Sequence, residues 1–198
     1  MAAVLYPLAL KLRLSMHNPL LIVLFSVSIF LGTIVEFPIP GTTIMQTGQT
    51  IAVLCGGALV GIRLGVASVG LYLLLGFLGL PVFSEGASGI KVLSGPSGGY
   101  LIGFVIAAAA TGGWRKAGLM SSPATAVLGM LFGHAIILAC GWLWMASLIG
   151  AHGAYVNGVA PFYLGSLVKS GLAVVLVFSI QRVTREVEKR YRFSKTLS

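Results

Sequence analysis

Gly79-Leu80-Pro81-Val82-Phe83 and Gly95-Pro96-Ser97-Gly98-Gly99-Tyr100-Leu101-Ile102-Gly103-Phe104 interrupt a chain otherwise built of long apolar runs. A segment that only filled a bilayer would have no use for this density of Gly, Pro, Ser and Tyr. The stretch therefore reads as a re-entrant or capping loop that closes over a small-molecule site and divides one hydrophobic run from the next. A phosphate-cradling loop needs G-x-x-x-x-G-K-[ST], whose Lys and hydroxyl reach the phosphates and magnesium. No such string occurs in the sequence, so the chain has no visible means of hydrolysing ATP by itself.

Composition sets the class. Hydrophobic residues make up 57% of the 198 positions and charged residues 9%, with a mean hydropathy of +1.00, far from the roughly 25% charge of soluble domains. This is a polytopic membrane protein whose first partner is the lipid bilayer. The net charge of +9 would suggest nucleic acid if the basic residues formed a solvated stripe. They lie instead at the edges of apolar segments, as in the cytoplasmic loops of membrane proteins, and no nucleic-acid partner is expected. Cys55 and Cys140 fall inside apolar runs and read as small hydrophobes.

A spanning helix needs about 20 mostly apolar residues. Six are expected, at residues 18–36, 49–62, 65–80, 98–114, 123–146 and 161–183, with Gly61-Ile62-Arg63-Leu64-Gly65 as a tight surface turn between the short second and third. The first run follows Lys11 and Arg13, but ends in Glu36-Phe37-Pro38-Ile39-Pro40 where a signal peptide would carry a small-x-small cleavage site, so it is read as an uncleaved span. A cytoplasmic N-terminus puts Lys11, Arg13, Arg63, Arg115, Lys116, Arg182, Arg185, Lys189, Arg190, Arg192 and Lys195 on the inner side. Only Lys91 is then outside and Lys169 within a span. Both termini are thereby assigned to the cytoplasm and the protein to the cell membrane as a multi-pass chain. The fold class expected is an all-α membrane protein of six transmembrane helices with a structured outer loop between helices 3 and 4. Residues 1–17 form a cytoplasmic segment, 18–183 the substrate-binding domain and 184–198 a basic cytoplasmic tail.

Lys169 is the sharpest single residue. It stands about two turns into the last span, where a charge costs roughly 2.5–3.5 kcal/mol or more unless paired or hydrated, and no carboxylate lies in the interior of a span to pair with it. Two readings are open. The ammonium snorkels to the outer interface along its stem, or it faces a cavity open outward and binds a ligand carboxylate. Ser166 and Phe162, one and two turns earlier on the same face, support the second. A further polar group, Thr42, Thr43, Gln46, Thr47, Gln49 and Thr50, opens the second span. Thr47 reads equally as a helix cap. The Gln49 amide both donates and accepts, and is expensive to leave unpaired in lipid.

The remaining chemistry-bearing residues carry less. No HExxH or Cys/His ligand spacing occurs, so no metal is expected. No Ser-His-acid arrangement is available either, so no catalytic residue is assigned. His134 reads as a hydrogen-bonded packing residue, with cavity lining as the second possibility. Trp114, Trp142 and Trp144 sit near span ends, where interfacial aromatics belong. The G-x-x-x-G pairs among Gly57, Gly61 and Gly65, at Gly99/Gly103 and at Gly129/Gly133 read as close-packing faces.

The string from Leu71 to Phe83 and the Gly95–Phe104 segment resemble the BioY family, the biotin-binding S components of energy-coupling-factor (ECF) vitamin transporters. Pro38-Ile39-Pro40 leading to Thr47-Gly48-Gln49-Thr50, the Gly61–Gly65 turn with Arg63, and Pro161-Phe162 leading to Gly165 and Lys169 extend the match from about residue 20 to 180. The resemblance implies six helices, biotin taken from the outer side, and work with a transmembrane coupling protein and cytoplasmic ABC-type ATPases. It implies no cofactor, ATP being used only by the partners. The biotin ring system would then sit among Thr47, Gln49, Tyr72, Phe83, Gly98, Tyr100, Phe162 and Ser166, with Lys169 on the carboxylate. Ser28 and Gly32 would supply the small-residue contact to the coupling protein. Ser166 stands where the family usually has Asp, and Thr43 and Met45 where it often has Pro. The implied activity is high-affinity biotin capture for uptake, without enzymatic turnover. The alternatives are an S component for another carboxylated vitamin and, from a different class, a membrane-embedded enzyme using His134.

Overall fold

The computed structural model describes residues 17–37 and 44–196. Lys11, Arg13, the Pro38-Ile39-Pro40 string, Thr42 and Thr43 lie outside the described residues, as do the side chains of Arg190, Arg192 and Lys195. The elements run in order as α1 (His17–Ile34), β1 (Glu36–Phe37), β2 (Gln46–Thr47), α2 (Gln49–Phe77), α3 (Ile90–Ser94), α4 (Gly98–Lys116), α5 (Pro123–Ile149), α6 (Ala151–Gly158) and α7 (Tyr163–Thr196). Short 3-10 turns occupy Ser84–Gly86 and Ala160–Phe162. The two strands pair antiparallel, Glu36 opposite Thr47 and Phe37 opposite Gln46.

Helix α2 is two helices in succession. Gly61 takes φ 85° and ψ 178°, a conformation essentially reserved for glycine, and the chain folds back there. A Cβ on Gly65 would come within 2.9 Å of the Gly57 Cα, yet the same residues in one straight helix would be about 12 Å apart at 1.5 Å per residue. The limbs on either side of Gly61 therefore lie side by side, as the sequence turn at Gly61–Gly65 anticipates. The first limb is nearly enclosed, with Gln49, Thr50, Val53, Leu54, Cys55, Gly56, Gly57 and Ala58 all buried. Too short for the full hydrocarbon thickness, it is surrounded by protein. Glycine lets its neighbour come close: a Cβ on Gly57 would meet the Gly112 backbone N of α4 at 3.0 Å, and between α4 and α5 one on Gly103 would meet the Ile137 Cα at 3.0 Å. Backbone approach of this kind is the packing that lipid favours.

Several boundaries differ from expectation, each for a local reason. Helix α1 stops at Ile34, two residues early, because Glu36 and Phe37 pair with β2. Helix α5 runs on to Ile149 and ends at Gly150, whose φ of 80° begins the separate helix α6. Pro161 lies inside a 3-10 turn, so α7 starts at Tyr163 and then continues past residue 183 to Thr196.

The outer surface is that of a protein immersed in hydrocarbon. Leu164, Leu167, Val168, Leu172, Val175 and Leu176 of α7 and Leu20, Val23, Leu24, Val27 and Leu31 of α1 are all exposed, an apolar area far larger than a water-soluble monomer leaves bare. By length and composition the stretches Gln49–Phe77, which folds back at Gly61, Pro123–Ile149 and Ala151–Val187, which includes the 3-10 turn, are apolar enough to cross a membrane, and Asn18–Ile34 is a shorter apolar helix. Substitution at glycine tests the packing. Gly57→Leu would drive a side chain into Thr111 and the Ala108 carbonyl, and is expected to cost about 3 kcal/mol or more and to remove the folded species. Gly70→Leu, with nothing within 4 Å of the added Cβ, should leave the detergent-solubilised melting temperature unchanged. Equal behaviour of the two variants would contradict the close packing of α2 on α4.

Candidate ligand site

A cavity of about 250 Å³ opens where the β1–β2 hairpin, both limbs of α2, the 78–97 connection, α4, α5 and the start of α7 converge. That volume lies just below the roughly 300–1,000 Å³ usual for ligand pockets. Thr47, Gln49, Tyr72, Phe83, Tyr100, Phe162, Ser166 and Lys169 all line it, so eight expected site residues from five separate segments are brought together. Gly98 is not on the wall. It packs under the Leu93 carbonyl, with the Trp144 ring 3.2 Å from its would-be Cβ, because the first turn of α4 needs a residue without a side chain beneath α3.

Lys169 reaches inward. Its Nζ donates to the Thr47 carbonyl at 3.2 Å, and among the described residues it forms no ion pair. One turn earlier, Gly165 lies directly under the Gln46 side chain, a place that any Cβ would occupy. The strand β2 is thus laid across the first turns of α7 and held there by a backbone carbonyl that neutralises only part of an ammonium charge.

A second chain of bonds fixes the opposite wall. The Gln49 amide, 5% exposed, donates to the Tyr72 hydroxyl at 2.9 Å, and that hydroxyl donates to the Val82 carbonyl at 3.2 Å. Tyr72 meets Phe83 edge-on with ring centroids 5.5 Å apart, and the Phe83 ring fills the notch left by Gly76. The 78–97 connection is tied down elsewhere as well. The Glu36 carboxylate accepts from the Ser84 hydroxyl and from the Glu85 backbone N–H, and the Trp144 indole donates to the Gly95 carbonyl at 2.9 Å. Across the cavity the Tyr100 hydroxyl donates to the Gly158 carbonyl at 2.5 Å, leaving its ring 6.3 Å from that of Phe162. The wall is therefore aromatic and amide in character, with the Lys169 ammonium at the start of α7 and Lys91 and Glu85 at the loop.

Other lining residues are not among the expected site residues: Glu85 and Lys91 at the loop, Phe104 one turn after Tyr100, and Ile137 and Leu138 beside His134. The helical spacing of Phe104 from Tyr100 is the signal that could have found it. His134 is both things the sequence allowed, a packed residue bonded to Thr50 and Ser170 and a contributor to the cavity. Ser28 and Gly32, the residues expected to meet the coupling protein, have different surroundings on α1. Ser28 bonds back to its own Leu24 carbonyl, and Gly32 faces inward, its would-be Cβ 2.7 Å from Gln49 Cα, with its carbonyl accepting from Gly48 N–H at 2.9 Å. Its smallness serves the approach of α1 to the start of α2.

Fold and cavity define a multi-pass α-helical membrane protein with an internal cavity. Residues 9–186 match the model of the BioY family, and the chain belongs to that family. It is similar to the probable biotin transporter BioY of Pyrococcus horikoshii, 36% identical over 68% of this chain and 79% of that one. It is also similar to the biotin transporter BioY2 of Lactococcus lactis, 30% identical over 77% and 85% respectively. The fold matches a crystal structure of the S-component for biotin from an ECF-type ABC transporter, with a TM-score of 0.77, 24% identity, and coverage of 86% of this chain and 93% of that one.

Tyr72→Phe isolates the bond chain. The buried Gln49 amide then loses its acceptor, a cost of about 1–3 kcal/mol, read as a lower melting temperature together with faster amide exchange across residues 82–87. Unchanged exchange there would remove Tyr72 from what holds the loop.

Proposed function

We propose that this chain is a membrane-embedded biotin-capturing subunit, an S component that takes biotin for uptake and is a transporter, not an enzyme. The observation that carries the reading is the pairing, in one cavity, of a Lys169 ammonium without an ion-pair partner among the described residues with a wall of Gln49, Tyr72, Phe83, Tyr100 and Phe162. A flat, polar, N–H-bearing ring suits the aromatic and amide wall, and a carboxylate suits the ammonium. Ser166, 7% exposed and one turn before Lys169, adds a hydroxyl that either donates or accepts. Names carried by relatives in the family support the same ligand.

The finer topology follows from charge. Six membrane-crossing segments, counting the two limbs of α2 separately, with both termini in the cytoplasm, put Arg63, Arg115, Lys116, Arg182, Arg185 and Lys189 on the inner side. The cavity mouth and the 78–97 connection then face outward. Residues 1–17 and 184–198 are the cytoplasmic segments of this arrangement and the cell membrane is its location. Without a phosphate-binding motif in the sequence, movement of the ligand calls for a transmembrane coupling protein and ABC-type ATPases of an ECF module. Since Gly32 is occupied within the chain, the contact with the coupling protein is better sought on the bare apolar face of α1 that carries Val23, Val27 and Leu31.

Lys169→Met keeps most of the stem and deletes the charge, so the ligand-free variant should fold at least as well as the parent. Biotin binding should weaken by about 1.5–3 kcal/mol, the range for a hydrogen bond to a charged group. Biotin amide should bind both proteins about equally. Undiminished biotin binding by Lys169→Met would show that the ammonium serves only the Thr47 carbonyl and holds no ligand carboxylate. For topology, a cysteine introduced as Ser88→Cys should be labelled by an impermeant reagent from outside intact cells, and protection there would reverse the orientation.

A further inference from the structure

One residue beyond Lys169, α7 contributes Ser170 to a buried polar cluster that the carboxylate assignment leaves unused. His134 is 3% exposed and its imidazole joins three helices. Nδ1 lies 3.2 Å from the Met130 carbonyl of its own helix and 2.8 Å from the Ser170 hydroxyl, while Nε2 lies 3.1 Å from the Thr50 hydroxyl at the start of α2. Both His134 and Thr50 line the cavity.

The donors and acceptors of this cluster can be assigned one by one. A carbonyl oxygen only accepts, so we assign the ring proton to Nδ1, where the Met130 carbonyl and the closer Ser170 hydroxyl both accept from it. Nε2 of the neutral ring is then a lone pair, and the Thr50 hydroxyl donates to it. Thr50 is the second residue of α2, with no helical carbonyl four residues behind it to compete for that proton. With its single proton committed to His134, Thr50 presents only oxygen lone pairs to the cavity.

We propose that Thr50 is a specificity-determining hydrogen-bond acceptor for an N–H group of the bound molecule, and that His134 is the residue that positions it. This rests on the biotin-capture reading, in which the ureido ring supplies the N–H. A wall of this kind accepts an amide or ureide N–H. It turns away a carbonyl or a second carboxylate, because two acceptors facing each other in a buried site lose water without gaining a bond.

The test compares biotin with its two N-methylated ureido derivatives on the parent, Thr50→Val, His134→Gln and the double variant, each checked for folding by its melting temperature. On the parent, one methylated derivative should bind about tenfold more weakly than biotin or worse. Thr50→Val, which keeps the shape and deletes the hydroxyl, should lose a similar factor for biotin and bring that ratio to within about twofold. His134→Gln should narrow the same ratio, and should narrow it no further in the Thr50→Val background. A purely structural role for His134 would instead weaken all three ligands alike, and that result overturns its assignment. The ¹⁵N resonances of His134, read without ligand, should show a proton on Nδ1 and an Nε2 lone pair that shifts on Thr50→Val; a proton on Nε2 overturns the inference whatever biotin does. A parent that binds no biotin overturns the capture reading and the ureido assignment with it. A parent that binds biotin, and whose discrimination survives Thr50→Val, overturns the Thr50 assignment alone.

Discussion

The bond from the Lys169 ammonium to the Thr47 carbonyl, 3.2 Å long, is the contact around which the site is organised. An ammonium at depth in a membrane protein is costly unless something compensates it, and one neutral carbonyl compensates it only in part. Where that ammonium lies decides where an anion would be stabilised. The strand that supplies the carbonyl is held in register with Glu36 and Phe37, and it crosses α7 at Gly165 because no Cβ stands in the way of Gln46. The hairpin, the start of α2 and the start of α7 are therefore positioned by one charge and one missing side chain.

The other side of the cavity follows from a different economy of bonds. Gln49, Tyr72 and Val82 form a directed sequence of donors and acceptors that would be destabilising if left half made. Completing it requires the 78–97 connection to lie against the second limb of α2, where Gly76 has left room for Phe83. Glu36 adds a carboxylate that holds Ser84 and the Glu85 N–H, so the hairpin that serves Lys169 also serves the loop. Because the two walls share β1 and β2, a change at one is expected to reach the other.

Much of this arrangement was legible in the sequence because it rests on residues that are improbable in lipid. Lys169 and Gln49 are expensive in an apolar span, and both were found lining the cavity. The Gly61 turn was legible because glycine recurs there at close-packing spacing. Gly98 and Gly32 were less so. A glycine shows that something comes close without showing what, and at both positions the neighbour is another part of the same chain. Helix α6 was invisible because Gly150 ends one helix by a change of φ that no apolar pattern records. The bonds from His134 to Thr50 and Ser170 join residues 84 and 36 positions apart, and only the three-dimensional arrangement reveals them.

The most direct measurement is a structure of the purified protein with biotin bound. The biotin carboxylate should lie at hydrogen-bond distance, about 2.7–3.2 Å, from Lys169 Nζ, with the ring system between Gln49, Tyr72 and Phe162 and the 78–97 connection closed over it. Biotin seated with its carboxylate away from Lys169, and Lys169 still bonded only to the Thr47 carbonyl, would contradict the assignment of that ammonium as the ligand's counter-charge.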